Sequence, residues 1–298
     1  MKCSLHKWTR WICLAAVLGS VSPLCGQVEQ PAAANVAAAP PSSAGPYRRL
    51  APGVMKSIEG SPQPNETFAR HDVVELTAVD PKFDWAKDVD FRRDIWHLNF
   101  EFKPVRTIWV DVPQPGGKLQ RKLIWYMIYK VTNPGKSLHP VPDEKSGYKI
   151  ERVDRPIRFV PEFLLFNDEF NKTYPDRVVP AALSPIRMRE DAARNFLTSV
   201  DAVGEIPVGQ SAWGVAMWED VDPRIDRFSI LVHGLTNAYQ WRDEPGKFQP
   251  GDPIGKGRRL ARKTLKLNFW RPGDEFYEEE DEIRLGSPGA VDYEWVYR

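Results

Sequence analysis

Residues 123–131 read LIWYMIYKV, apolar at both odd and even positions and broken only by Lys130. A strand with one wet face alternates apolar and polar side chains, so a run apolar at both parities belongs to a strand covered on both sides. Asn133-Pro134-Gly135 ends it and Gly116-Gly117 precedes it, both turn-forming. Upstream, Trp96, Leu98, Phe100 and Phe102 alternate with His97, Asn99 and Glu101. That is the period-two signature of one apolar strand face. Ile108, Val110 and Val112 are expected to continue the same alternation after Pro104.

Further strands are predicted downstream. Residues 157–166 alternate around Phe159, Phe163 and Leu165, and Ala212 to Trp218 is a second apolar run. The turn at Asp220-Val221-Asp222-Pro223 leads into Arg227 to Val232. Leu265, Leu267 and Phe269 alternate with Lys266 and Asn268, and Ile283–Leu285 and Tyr293–Tyr297 close the chain. One helix is expected, capped by Ser184 with Pro185 at its first position and Ile186, Ala193, Phe196 and Leu197 on one face. The fold class is therefore all-β: an antiparallel β-sandwich with one short helix in a connection and a C-terminal charged hairpin.

Three further segments resemble a known type of domain. They are IWYMIYKVTNPG (124–135), EFLLFNDEFNKTYPD (162–176) and GEIPVGQSAWGVAMWEDVDPRIDRFSILVHGLTNAY (204–239). Together they are similar to uncharacterised secreted bacterial proteins with an immunoglobulin-like β-sandwich domain. The resemblance implies a fold, brings no activity, and carries over no functional residue.

The first 26 residues read as a signal peptide. Lys2, Lys7 and Arg10 form a basic start, and Trp11 to Leu24 is an apolar stretch of about 14 residues interrupted by Pro23. A spanning helix needs about 20 apolar residues, so no transmembrane segment is expected once the signal is removed. Residues 27–53 are Ala/Pro/Ser-rich and read as a disordered linker, leaving 54–298 as the β-sandwich domain with its C-terminal extension. The expected localisation is exported: periplasm, cell surface or secreted. All three cysteines, Cys3, Cys13 and Cys25, lie in the leader. A mature chain without them has no disulfide, thiol nucleophile or thiolate metal site. Acylation at Cys25 is the alternative to cleavage, but Leu24 is not the small residue that lipoprotein signals place there. Without the leader's three basic residues, 38 basic side chains face 40 acidic ones. Such a balance gives no electrostatic case for nucleic acid as a partner.

Several motifs fail on inspection. His233-Gly234 ends a strand as in α/β-hydrolases, but no Gly-x-Ser-x-Gly elbow follows in the remaining 65 residues. GRRLARKT (257–264) lacks the glycine before lysine that a phosphate loop requires. His71, His97, His139 and His233 show no metal-ligand spacing, and no cofactor is expected. Asp220, Asp222 and Asp226 could hold calcium as hard oxygen ligands, yet Asp222-Pro223 is equally a tight turn whose side chain bonds its own backbone. The basic block Lys256, Arg258, Arg259, Arg262, Lys263 and Lys266 is expected to face the acidic block of Asp274, Glu275 and 278–282 across a hairpin. Arg258, Arg259 and Arg262, with Trp241 and Trp270 near turns, are the candidates for partner binding. These features point to an exported, non-enzymatic structural or interaction module that binds an envelope protein or glycan. The alternatives are a carboxylate-dependent polysaccharide hydrolase, whose two acids the sequence does not select, and a calcium-stabilised adhesin.

Overall fold

The double-sided apolar run sits at the centre of the molecule for the reason its composition gives. The computed structural model describes residues 55–60, 94–143, 147–167, 169–247, 252, 256–271, 283–286, 289 and 291–298. The expected signal peptide, linker and acidic block 274–282 lie outside them.

Along the chain run β1 (Lys56–Ile58), β2 (Asn99–Phe102), β3 (Arg106–Pro113), β4 (Leu119–Thr132), β5 (Ser137–Asp143), β6 (Gly147–Val153), β7 (Ile157–Phe159) and β8 (Glu162–Asn167). There follow β9 (Lys172–Pro175), the helix α1 (Pro180–Glu190), β10 (Gly204–Ile206), β11 (Ser211–Trp218), β12 (Arg227–His233), β13 (Tyr239–Asp243), β14 (Arg258–Trp270), β15 (Arg284–Leu285) and β16 (Tyr293–Tyr297). The first sheet has the order β1-β2-β4-β11, with β3 on β4; the second has the order β13-β14-β12-β8-β9, with β15 and β16 on β14. All strand pairings in both sheets are antiparallel. No described helix is long and apolar enough to cross a membrane.

The sheets pack face to face through aromatic side chains. Trp125 meets Phe228 at 5.3 Å between ring centroids, Tyr129 meets Phe163 at 4.8 Å, and Phe102 meets Phe269 edge-on at 6.2 Å. Trp125, Met127, Tyr129 and Val131 of β4 point into this sandwich core. The opposite parity, Ile124, Tyr126 and Ile128, points to a second core that α1 closes with Val179, Ala182 and Ile186. The helix is why β4 is apolar on both faces.

Its ends differ from expectation. The helix starts at Pro180 rather than Ser184, no side chain caps it, and Pro185 lies inside it. Pro180 fits the first turn as well as Pro185 would have, because neither needs an N–H there. The internal proline costs one backbone hydrogen bond; burial of Ala182 and Ile186 against the sheet offsets it. Phe196 lies beyond the helix but packs on the same core.

The alternation also changes face where the sequence suggested continuity. Phe102 pairs with Tyr129 and Arg106 with Tyr126, so Lys103, Pro104 and Val105 sit opposite only Met127 and Ile128. One extra residue is a β-bulge, and it moves every later side chain to the other face. Phe100 and Phe102 therefore face the sandwich core, whereas Ile108 and Val110 face α1.

Candidate functional site

Two places on this frame gather charged side chains. The first is built by the bulge. Lys103 and Arg106 flank it and converge on Glu190 at the end of α1, each 2.8 Å from a carboxylate oxygen. The Tyr126 hydroxyl donates to the same carboxylate at 2.9 Å, and Arg189 donates to the Thr107 carbonyl at 2.8 Å. The Glu190 side chain is 1% exposed. Burial alone would raise its pKa, but the Lys103 and Arg106 cations outweigh burial and hold it below the usual carboxylate value. Burial and the Glu190 charge push the Tyr126 phenol far up, so it stays a donor. This cluster ties the helix to the sheet.

The second gathering is a groove of about 620 Å³ at one end of the sandwich. It exists because β12 and β13 are almost one strand. Val232 pairs with Leu265 and Tyr239 with Arg262, leaving residues 233–238 opposite only Lys263 and Thr264. The surplus loops away from the second sheet and stitches it to the first. Leu98 N donates to the Leu235 carbonyl at 2.7 Å, Trp96 N to Asn237 Oδ1 at 3.0 Å, and Thr236 Oγ1 to the Trp96 carbonyl at 2.7 Å. Gly234 starts the loop at φ +86°, and a Cβ there would lie 2.2 Å from the Val160 carbonyl oxygen. Only glycine fits.

Where the loop leaves the sheet, Trp96, Arg158, Val160, Glu162, His233, Tyr239, Leu260, Arg262 and Lys263 are among the side chains that line the opening. Val160 and Leu260 are 52% and 66% exposed. Among the described residues, the Arg158 and Arg262 guanidiniums make no hydrogen bond or ion pair. His233 faces Glu162 across β8. Thr264 Oγ1 lies 3.1 Å from the Arg262 carbonyl and 3.0 Å from His233 Nδ1, and its single proton can serve either acceptor. Burial lowers the His233 pKa, with Arg262 and Arg298 acting in the same direction against Glu162, so the ring is neutral at pH 7.

The residues singled out in the sequence are scattered. Of the partner-binding candidates whose side chains are described, Arg262 reaches the groove. Arg259 is paired with Glu244, and Trp270 lies under the Arg284 guanidinium at 5.5 Å. Trp241 pairs with Leu260 through its backbone; the side chains of Trp241 and Arg258 lie outside the described residues. Lys266 of the basic block pairs with Glu294 at 2.9 Å.

The three aspartates do not share a site. Asp220 binds Lys122, and Asp222 binds Arg224 and Lys172. Asp222 also accepts from the Arg224 backbone at 3.2 Å, as a side chain closing its own turn does. Arg224 above all, with Lys172, holds its carboxyl well below the usual range. Among the described residues no three histidine, cysteine or carboxylate side chains gather as metal ligands would.

Arg158 and Glu162 escaped sequence reading because they occupy ordinary outward strand positions. A cue existed in His233-Gly234: the strand ends there, but the apolar pattern resumes in Leu235 and Ala238, both buried. Trp96, read as a core residue, packs against the core and also lines the groove. No protein-family model, curated protein or solved structure matches the chain.

Proposed function

We propose that this chain is an exported, non-enzymatic interaction module that holds a component of the cell envelope in the groove beside the Gly234–Ala238 loop. The carrying observation is the pair of arginines, Arg158 and Arg262, without a partner among the described residues at a groove that also exposes Val160 and Leu260. Unpaired guanidiniums beside apolar surface are what a binding site presents before its ligand arrives. Glycoside hydrolysis needs two carboxylates across the bound sugar, and the described lining of the groove holds one, Glu162. Binding without cleavage is the reading that this supports.

The test is a pull-down from native envelope with the mature chain and with the Arg158→Glu/Arg262→Glu variant. The wild type is expected to retain a component that the variant loses. Equal capture by both would place binding elsewhere and overturn the proposal. Mass spectrometry of the native protein's N-terminus checks export, the expected first residue being Gln27.

A further inference from the structure

We infer that the ligand of this groove is an acidic glycan, a chain of sugars bearing carboxylate or sulfate groups. The inference rests on the groove being the binding site and adds the chemistry of its occupant.

Charge comes first. Among the described lining residues, the exposed Arg158 and Arg262 outnumber the one carboxylate, Glu162. The mature chain as a whole is close to neutral by its composition, so this excess is local. Planar guanidiniums bind carboxylate and sulfate through paired N–H donors.

Acceptors come second. Glu162 offers carboxylate oxygens with no bonded cation among the described residues, beside the polar imidazole of His233. An anion alone has no proton to give these acceptors, whereas a sugar supplies hydroxyls. Third, Trp96 and Tyr239 provide aromatic surface of the kind that packs on the C–H faces of sugar rings. A neutral glycan would leave the arginines unanswered, and a simple anion would leave Glu162 unanswered. An acidic sugar chain answers both.

Binding is measured by calorimetry with the mature protein against polygalacturonate, alginate, hyaluronan, chondroitin sulfate and heparin oligosaccharides. Cellohexaose and xylohexaose serve as neutral comparators. At least one acidic oligosaccharide is expected to bind ten-fold or more tightly than either neutral one. Raising salt should weaken it, and carboxyl reduction or desulfation should abolish it. Arg158→Gln/Arg262→Gln should weaken binding at least ten-fold. Arg177→Gln, an exposed arginine outside the groove that pairs with Glu219, should leave it unchanged. Circular dichroism verifies that each variant is folded.

Failure of every acidic oligosaccharide, equal binding of neutral ones, or indifference to the two arginines overturns the inference. A protein captured from the envelope in an Arg158/Arg262-dependent manner would sink the glycan and leave the groove standing. Capture independent of both arginines would sink both readings.

Discussion

Two clusters of cations on this fold meet opposite fates. Around the β2–β3 bulge, Lys103, Arg106 and Tyr126 all spend donors on the Glu190 carboxylate. At the far end of β12, Arg158 and Arg262 face an open groove with no acid bonded to them among the described residues. Both places arise from the same device, surplus residues in one strand of an antiparallel pair: one at the bulge, four at the Gly234–Ala238 loop. The first surplus is covered by α1 and becomes structure. The second is not covered by any described element and is open to a ligand. A charged cluster therefore acquires its meaning from what the fold packs against it.

Removing the buried acid should test that contrast most severely. Glu190→Ala strands two cations in a buried site, and breaking such a pair costs about 3–5 kcal/mol. Urea unfolding should show a loss of that size, while the protein that remains folded keeps its groove affinity. If stability is unchanged, the bulge cluster is no keystone and the contrast fails.

Tyr126→Phe is a gentler version. It deletes one hydrogen bond to a charged acceptor, worth about 1.5–3 kcal/mol, and should lower the urea midpoint without altering the slope. A loss equal to that of Glu190→Ala would mean that the tyrosine, not the ion pairs, dominates the cluster.

Acid should separate the two regions further. His97 is half-buried, with Nδ1 enclosed and without a hydrogen-bond partner among the described residues, and its pKa is lowered from 6.5 to about 4 by burial, helped by Arg152 and Lys263. The unfolded chain binds this proton more readily, so stability falls as pH drops from about 6.5 towards 4. The Glu190 contribution, from a carboxylate whose folded pKa is depressed, fades in the same direction but at lower pH. His97→Phe should flatten the first part of the urea-midpoint profile, and an unchanged profile would show that His97 does not titrate there.

The smallest effect on stability is expected from the groove itself. Arg158→Gln and Arg262→Gln alter exposed side chains without partners among the described residues, and such changes usually stay within about 0.5 kcal/mol. A melting temperature indistinguishable from wild type, alongside lost binding, would sharpen the division between the clusters. A large destabilisation would show that these arginines also serve the fold.

Much of the sheet structure was legible in the residues. The parity of LIWYMIYKV announced a strand with two covered faces, and the turn at Asn133-Pro134-Gly135 ends it as read. There the Asn133 side chain donates to the Arg155 and Ile206 carbonyls and accepts from Gly135 N. The helix was legible as an element but not in its ends, because two prolines five residues apart both fit a first turn. Of the groove's lining, Arg262 was singled out for partner binding, while Lys263 entered only in a charge block and His233 only among failed motifs. Arg158 and Glu162 look like any outward residues of a strand, and nothing local distinguishes an arginine that will be paired from one that will not.

Local patterns thus marked many of the strands, though not β1, β5, β6, β9, β10 or β13, and showed that one strand is buried twice and that Gly234 ends another. They could do so because side-chain periodicity and turn chemistry act over a few neighbouring residues. Only the tertiary structure decided that three residues stand opposite two at Lys103–Val105, that a loop from one sheet ties down the edge of the other, and which cations find a carboxylate. Those outcomes depend on register and on contacts between residues 64 to 143 positions apart. A one-residue shift in register changes which face every side chain joins.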